Sequence, residues 1–199
     1  MRLRDVAPGD VEAYARMRCD PVMMAELGGP LPRSGIEEKV ARDLRSVADG
    51  SAWIKMIIPE DGPEPGGVAG SVVLWRHTDD ADDADAHDAG DTEPAGRGAA
   101  AGPGGALPAA YSEIGWMVLP GYQGRGLAKR AVRALLAPAA GTGRWGVVHA
   151  LPGVGNAASN AVCRSLGFTR HGTLDVDFAG RTLRSRHWSV DSRAGLPPE

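Results

Sequence analysis

The chain has 199 residues and a mass of 20.7 kDa, the size of one domain, with a formal net charge of −3. Hydrophobic residues at 43 % and charged residues at 24 % sit near the globular average, which excludes a wholly disordered chain and a membrane protein. Glycine and proline are in excess, 28 and 15, and much of that excess is local.

Residues 3–6 (LRDV) read as a short strand, and Asp10 stands where it can cap a helix with Val11, Tyr14 and Met17 on one face. Ser34 and Glu37 have capping-box spacing ahead of a second helix, in which Ile36, Val40, Leu44 and Val47 recur at helical intervals until Gly50. The loop between them, residues 20–32, is rich in Met, Gly and Pro. Two strand-like runs follow at 52–58 and 68–76, separated by a turn-rich stretch.

Residues 78–110 carry eight acids, Asp79, Asp80, Asp82, Asp83, Asp85, Asp88, Asp91 and Glu93, against one base, Arg97. A segment so polar and one-sidedly charged cannot offset its ordering entropy by burial, so it reads as a flexible insertion at a hairpin tip. Its local charge of −7 leaves +4 for the other 166 residues. That mildly basic body suits an anionic small ligand and falls short of a nucleic-acid binder.

The returning strand spans 111–119. After Pro120 a helix is marked by Leu127, Ala128, Ala131, Val132, Leu135 and Leu136, with Pro138 expected to stop it. A strand at 145–151 precedes a helix capped by Asn156, with Ala158, Ala161, Val162 and Leu166 expected inward and Gly167 at its end. A hairpin of 168–177 and 182–190 turns around Ala179 and Gly180, and the tail from Asp191 is expected to fray. This order predicts a mixed α/β fold: a mostly antiparallel central sheet flanked by helices, with a β-α-β unit in its second half. One domain over 1–190, interrupted at 78–110, is the expected organisation.

Cysteine is scarce, at Cys19 and Cys163, and the N-terminus lacks the apolar core of a signal peptide. No apolar run reaches the length of a membrane span. A reduced, cytoplasmic setting without membrane or nucleic-acid partners is the expectation.

The chemistry concentrates in residues 123–128, QGRGLA, between a strand and a helix. Gly124 and Gly126 let backbone approach a ligand, and the first-turn amides present unpaired hydrogens and the positive end of the helix dipole, an arrangement suited to pyrophosphate. A tight strand-to-helix turn would use the same glycines. A P-loop is excluded because Gly-Lys-Ser/Thr is missing, and a GxGxxG fingerprint would need a small residue where Lys129 stands.

Residues 113–132 (EIGWMVLPGYQGRGLAKRAV) and 156–168 (NAASNAVCRSLGF) together resemble the two signature segments of the GNAT superfamily of acyl-CoA-dependent N-acyltransferases, most nearly the RimJ/RimL-like branch. The first carries the Gln-x-x-Gly-x-Ala pattern at 123, 126 and 128; the second carries Asn-x-x-Ser followed by Leu-Gly-Phe. The element order agrees over the whole chain except 78–110 and the tail. The resemblance implies acetyl-CoA as cosubstrate and transfer of its acetyl group to a primary amine, in a monomer or homodimer.

It further implies that Met117 and Val118 pair with the pantetheine arm, that amides from Gln123 through Gly124, Arg125, Gly126, Leu127 and Ala128 bind the pyrophosphate, and that Asn156 and Asn160 contact the coenzyme's far wall. Arg125, Lys129 and Arg130 stand near enough to help neutralise phosphate, or are simply solvated. Asn156 is equally explained as a helix cap. Glu113 is the candidate base, its alternative being an ordinary strand carboxylate. Many family members have a tyrosine acid where this chain has Cys163; a thiol there could protonate the leaving thiolate or merely pack, and Ser159 is a substitute. Met23, Met24 and Leu27 could line the acceptor pocket or the core. His149 and His187 read as lone structural histidines, and Trp116, Trp145 and Trp188 as sheet core. A non-catalytic acyl-CoA sensor remains the alternative from another class.

The acceptor's protonation matters. A lysine amine with pKa near 10.4 is only about 1/2500 neutral at pH 7, whereas an α-amine near 8 is about a tenth neutral, a difference of roughly 3 kcal/mol.

Overall fold

The computed structural model describes residues 1–61, 66–77, 107–178 and 181–197. Most of the expected insertion, and the turn at Ala179 and Gly180, lie outside the described residues.

Seven strands, β1 (Arg2–Asp5), β2 (Ala52–Ile58), β3 (Gly70–His77), β4 (Tyr111–Val118), β5 (Val147–Ala150), β6 (Thr169–Phe178) and β7 (Arg181–Asp191), form one sheet in the order β1-β2-β3-β4-β5-β7-β6. Every neighbouring pair is antiparallel except β4 and β5, which are joined by the β-α-β crossover. The β-branched and aromatic run of β2 lies inside the sheet, and Ala52, Ile54, Met56, Ile57 and Ile58 are buried. Four helices cover the sheet: α1 (Val11–Arg18), α2 (Ile36–Ala48), α3 (Leu127–Thr142) and α4 (Ala157–Ser165). α1 packs on α2 and α2 on β2, while α3 packs on β3, β4 and α4. Among the described residues no helix is long and apolar enough to cross a membrane.

Several local expectations are corrected. Asp10 does not cap α1. It is buried, accepts the Ala7 N–H at 2.8 Å, and takes a two-pronged bond from the Arg4 guanidinium at 2.6 and 2.7 Å. Ser34 and Glu37 form no capping box, because a 3-10 turn at Arg33–Gly35 places Gly35 at the cap of α2.

Pro138 does not stop α3, which runs on to Thr142. Proline costs the helix the bond that its missing N–H would give to the Ala134 carbonyl, but both residues are exposed, so water can serve that carbonyl. Meanwhile Ala139, fully buried, carries the apolar stripe past the proline, and Gly143 in the left-handed conformation ends the helix.

The inner face of α4 is Asn160, Cys163 and Leu166, whereas Ala158 and Ala161 are exposed. The tail is not frayed through 197. Ser192 is buried and donates its N–H and Oγ–H to the Gly146 carbonyl at 2.9 and 2.8 Å, and Arg133 donates to the Pro197 carbonyl at 2.6 Å.

Candidate active site

β4 and β5 are paired only at Ser112–Val148 and Glu113–His149. Beyond Glu113 the two parallel strands separate, so the β5-facing side of Ile114–Val118 leaves backbone groups open to a guest. A cleft of about 740 Å³ runs through this gap, a volume within the range of small-molecule sites. Met117, Val118, Gln123, Gly124, Gly126, Leu127, Ala128 and Lys129 are in its lining. So are Tyr14 and Met17 of α1, Met23, Glu26 and Leu27 of the following loop, Asp43 of α2, and Trp75 and Glu113 of the sheet.

The turn into α3 is built for close approach. Gly124 has φ +74° and Gly126 φ +70°, the left-handed region, and a Cβ at either would meet nothing within 4 Å. The backbone therefore faces open space there. The first helical amide satisfied from within is that of Arg130, which donates to the Gly126 carbonyl at 3.0 Å, so those of Leu127, Ala128 and Lys129 have no partner within the helix, and all three residues line the cleft. Gln123 differs from its neighbours. Its backbone N–H is used by the Pro120 carbonyl at 3.2 Å, and its side-chain amide donates to the Val118 carbonyl at 2.9 Å, tying the turn to the end of β4. Gln123 thus braces the turn whose left-handed residues begin at Gly124.

Asn156 caps α4, its Oδ1 accepting the Ser159 N–H at 2.9 Å, and it also lines the cleft with Ser159, so the two readings of this residue coexist. In the lining, the buried Tyr14 hydroxyl donates to the Asp43 carboxylate at 2.6 Å, and buried Lys39 donates to the same carboxylate at 3.2 Å. Burial first, then the Asp43 charge, push the Tyr14 phenol far above its ordinary value, so it remains a hydroxyl.

The model of the acetyltransferase (GNAT) domain matches residues 1–169. The chain belongs to the GNAT acetyltransferase family. It is an acyl-CoA-dependent N-acetyltransferase, transferring an acetyl group from acetyl-CoA to an amine. Among solved structures it is similar to RimL, a ribosomal L7/L12 α-N-protein acetyltransferase in complex with coenzyme A. That match has 18 % identity over 96 % of this chain and 94 % of RimL, with a TM-score of 0.68. The aminoglycoside acetyltransferase AAC(6')-Ib in complex with coenzyme A matches at 16 % identity over 96 % of this chain and 95 % of its own, TM-score 0.64. A ribosomal-protein-S5-alanine acetyltransferase from Vibrio fischeri matches at 14 % identity over 98 % and 94 %, TM-score 0.66. No curated protein sequence matches.

Within this acetyltransferase the residues singled out in the sequence divide by position. Glu113, Ser159, Met117, Val118, Gln123, Gly124, Gly126, Leu127, Ala128 and Asn156 line one cleft. Arg125 and Arg130 are exposed and outside the lining; the Arg125 guanidinium lies over the Tyr122 ring at 6.0 Å. Asn160 is corrected: it is buried, its Nδ2 donates to the Gly153 and Asn156 carbonyls at 2.9 and 2.7 Å, and its Oδ1 accepts the Trp188 indole N–H at 3.0 Å. It holds the β5–α4 loop instead of facing the cleft. Cys163 is likewise turned away, fully buried in the core and outside the cleft lining, and burial pushes its thiol up to about 12, so it stays a thiol at neutral pH. Met24 is core, while Met23 and Leu27 face the cleft.

The sequence reading missed Tyr14, Asp43, Glu26 and Trp75. Asp43 had a signal, because it falls on the apolar stripe of α2 four residues after Lys39, where a lone charge needs a buried partner. His149 and His187 were misread as lone, since Nδ1 of His149 is 2.7 Å from Nε2 of His187; His77, which the sequence did not single out, has Nε2 2.8 Å from Oε2 of Glu113. Only the sheet register brings residues so distant in sequence together. Among the described residues no group of three or more His, Cys, Asp or Glu could hold a metal ion.

Proposed function

We propose that this acetyltransferase modifies a primary amine on a protein or peptide N-terminus or on a small molecule, that Glu113 takes the amine's proton, and that Ser159 serves the leaving thiolate. The amine nitrogen attacks the thioester carbonyl carbon, a tetrahedral oxyanion forms, and coenzyme A leaves as the C–S bond breaks. The cradle amides from Gly124 to Ala128 hold the diphosphate, and the open edge of β4 at Met117 and Val118 holds the pantetheine arm. Support comes from one observation: Glu113 stands in the cleft that also contains the cradle and the open strand edge. RimL acts on a protein α-amine and AAC(6')-Ib on an aminoglycoside, so both classes of acceptor fit this architecture. An α-amine suits the site better than a lysine side chain, since it saves roughly 3 kcal/mol of deprotonation at pH 7. The reading includes a cytoplasmic monomer or homodimer of one domain, with neither nucleic acid nor membrane as partner.

Release of free thiol from acetyl-CoA, measured with N-terminal peptides, internal-lysine peptides, polyamines and aminoglycosides, tests the acceptor. Turnover of at least one N-terminal peptide or small amine above the lysine peptides is expected. Turnover confined to internal lysine would sink the assignment.

A further inference from the structure

The described histidines lie together in one row across the sheet: His77 on β3, His149 on β5, His187 on β7 and His171 on β6. Tyr111 on β4 bridges them, stacked on His77 with centroids 4.3 Å apart and meeting His149 edge-on at 5.7 Å. The row begins at the cleft, because Nε2 of His77 lies 2.8 Å from Oε2 of Glu113. The same nitrogen accepts the indole N–H of Trp75 at 2.8 Å. An indole N–H only donates, so with that bond made Nε2 carries no proton, and a protonated Glu113 facing it donates to the same single lone pair, which the two donors then share. The His77 side chain is 18 % exposed against 12 % for Glu113.

We propose that His77 is the proton outlet of Glu113, receiving on Nε2 the proton that Glu113 has taken from the amine and releasing one from Nδ1 to water. The inference rests on Glu113 being the base. The balance for an ammonium acceptor is two protons lost by nitrogen as the N–C bond forms and the C–S bond breaks. One ends on the coenzyme A sulfur and one goes to solvent, and the second takes the route Glu113 Oε, His77 Nε2, His77 Nδ1, water. The carboxylate finishes ionised and the imidazole neutral with its proton now on Nε2, and exchange of protons with water returns the ring to the Nδ1–H form before the next turnover.

His77 is suited to this by chemistry and by place. Imidazole exchanges protons most readily near neutral pH, and His77 touches a cleft residue while part of its own side chain is exposed. The groups facing it are Trp75 on its own strand, Tyr111 and Glu113 on β4, and, past Tyr111, His149 on β5. The route does not continue along the row. Burial, then the neighbouring His187 and His171, hold His149 at about 4, so it does not accept a proton at working pH. His77 acts through Glu113 and is a positioning residue, not one that touches substrate.

The test is steady-state acetyl transfer across a pH series for wild type, His77→Gln, His77→Asn and Glu113→Gln. It uses acetyl-CoA with an amine that turns over in the panel, with and without added imidazole. His77→Gln is expected to lower kcat about tenfold near pH 7, part of the 10²–10⁴ that acid–base catalysis supplies, with the KM for acetyl-CoA unchanged and the rate restored by imidazole. A folded His77 variant with wild-type kcat at every pH, or a loss that imidazole does not restore, overturns the proposal. If Glu113→Gln loses rate while His77→Gln does not, the outlet is wrong and the base reading stands; if Glu113→Gln keeps full rate, the base reading itself falls. A second measurement needs no change at His77: in nitrogen-15 spectra of the protein, Glu113→Gln must shift the His77 Nε2 resonance, and an unmoved resonance overturns the pairing.

Discussion

Nδ1 of His149 and Nε2 of His187 face each other at 2.7 Å in the protein interior, a spacing that accommodates one proton between two nitrogens and penalises a second. His149 is accordingly held at about 4, by burial first and then by His187 and His171, against an ordinary value of 6.5. The direction of the linkage follows. Between pH 6.5 and 4 the unfolded chain binds a proton at this position that the folded chain refuses, so the contribution of neutral His149 is complete above about pH 6.5 and is lost as pH falls toward 4. Thermal melts from pH 7.5 to 4.5 should show a steeper acid-side decline for wild type than for His149→Gln, which has no such proton to refuse. Parallel profiles would mean that the pair does not govern this range.

At Gly126 the backbone is left-handed and faces open space, so Gly126→Ala costs only its conformational strain, about 1–2 kcal/mol of stability. Gly126→Asp adds a like charge against a diphosphate, an opposition worth several kcal/mol, and should weaken coenzyme A binding by at least about a hundredfold. Calorimetry on both variants, with circular dichroism to establish folding, separates strain from charge. A folded Gly126→Asp protein that binds coenzyme A as wild type does would remove the cradle from the mechanism.

The parts of this fold that were legible in the sequence are those in which local chemistry and tertiary demand agree. β2 was read to the residue because an apolar, β-branched run also occupies the sheet interior, and Asn156 was read as a cap because its Oδ1 does accept the Ser159 amide. Pro138 misled because its cost depends on whether the bereaved carbonyl reaches water, which is a tertiary fact. Asp10 misled because Arg4, six residues back, outbids the helix amides for its carboxylate. In the site, the glycine turn was legible from local pattern, whereas the Glu113–His77 contact depends on β3–β4 register across the long connection. Asn160 and Cys163 sit in a signature segment yet face inward, because α4 turns that side toward β7 and the core.

Cys163→Ala and Ser159→Ala should part company. The thiol lies in the core and cannot ionise near neutral pH, so its removal is expected to leave kcat within about twofold while costing on the order of 1 kcal/mol through lost packing. Ser159 lines the cleft, and the helix cap uses only its backbone N–H, so on the proposed role its hydroxyl serves the leaving group and not the helix. Ser159→Ala should therefore lower kcat with little change in Tm. Equal kcat for wild type and Ser159→Ala would show that the thiolate departs without a proton donor from this residue.

Asn160→Ala isolates the loop that presents Asn156 and Ser159 to the cleft. The substitution removes the side-chain donor from the Gly153 and Asn156 carbonyls, which keep the backbone N–H groups of Asn156 and Asn160, and leaves the buried Trp188 indole N–H without its acceptor. The orphaned indole costs about 1–3 kcal/mol and each lost second bond about 0.5–1.5 kcal/mol, and since the losses share one site they will not simply add; a total of about 3 kcal/mol is expected. For a chain of this size that is roughly 6–12 °C in Tm. Because the loop is loosened without losing a group in the cleft, the KM for acetyl-CoA should rise only modestly, by a few-fold, and kcat should fall less. A variant that melts at the wild-type temperature but no longer binds coenzyme A would place Asn160 in direct contact with the coenzyme and reverse the assignment made from its hydrogen bonds.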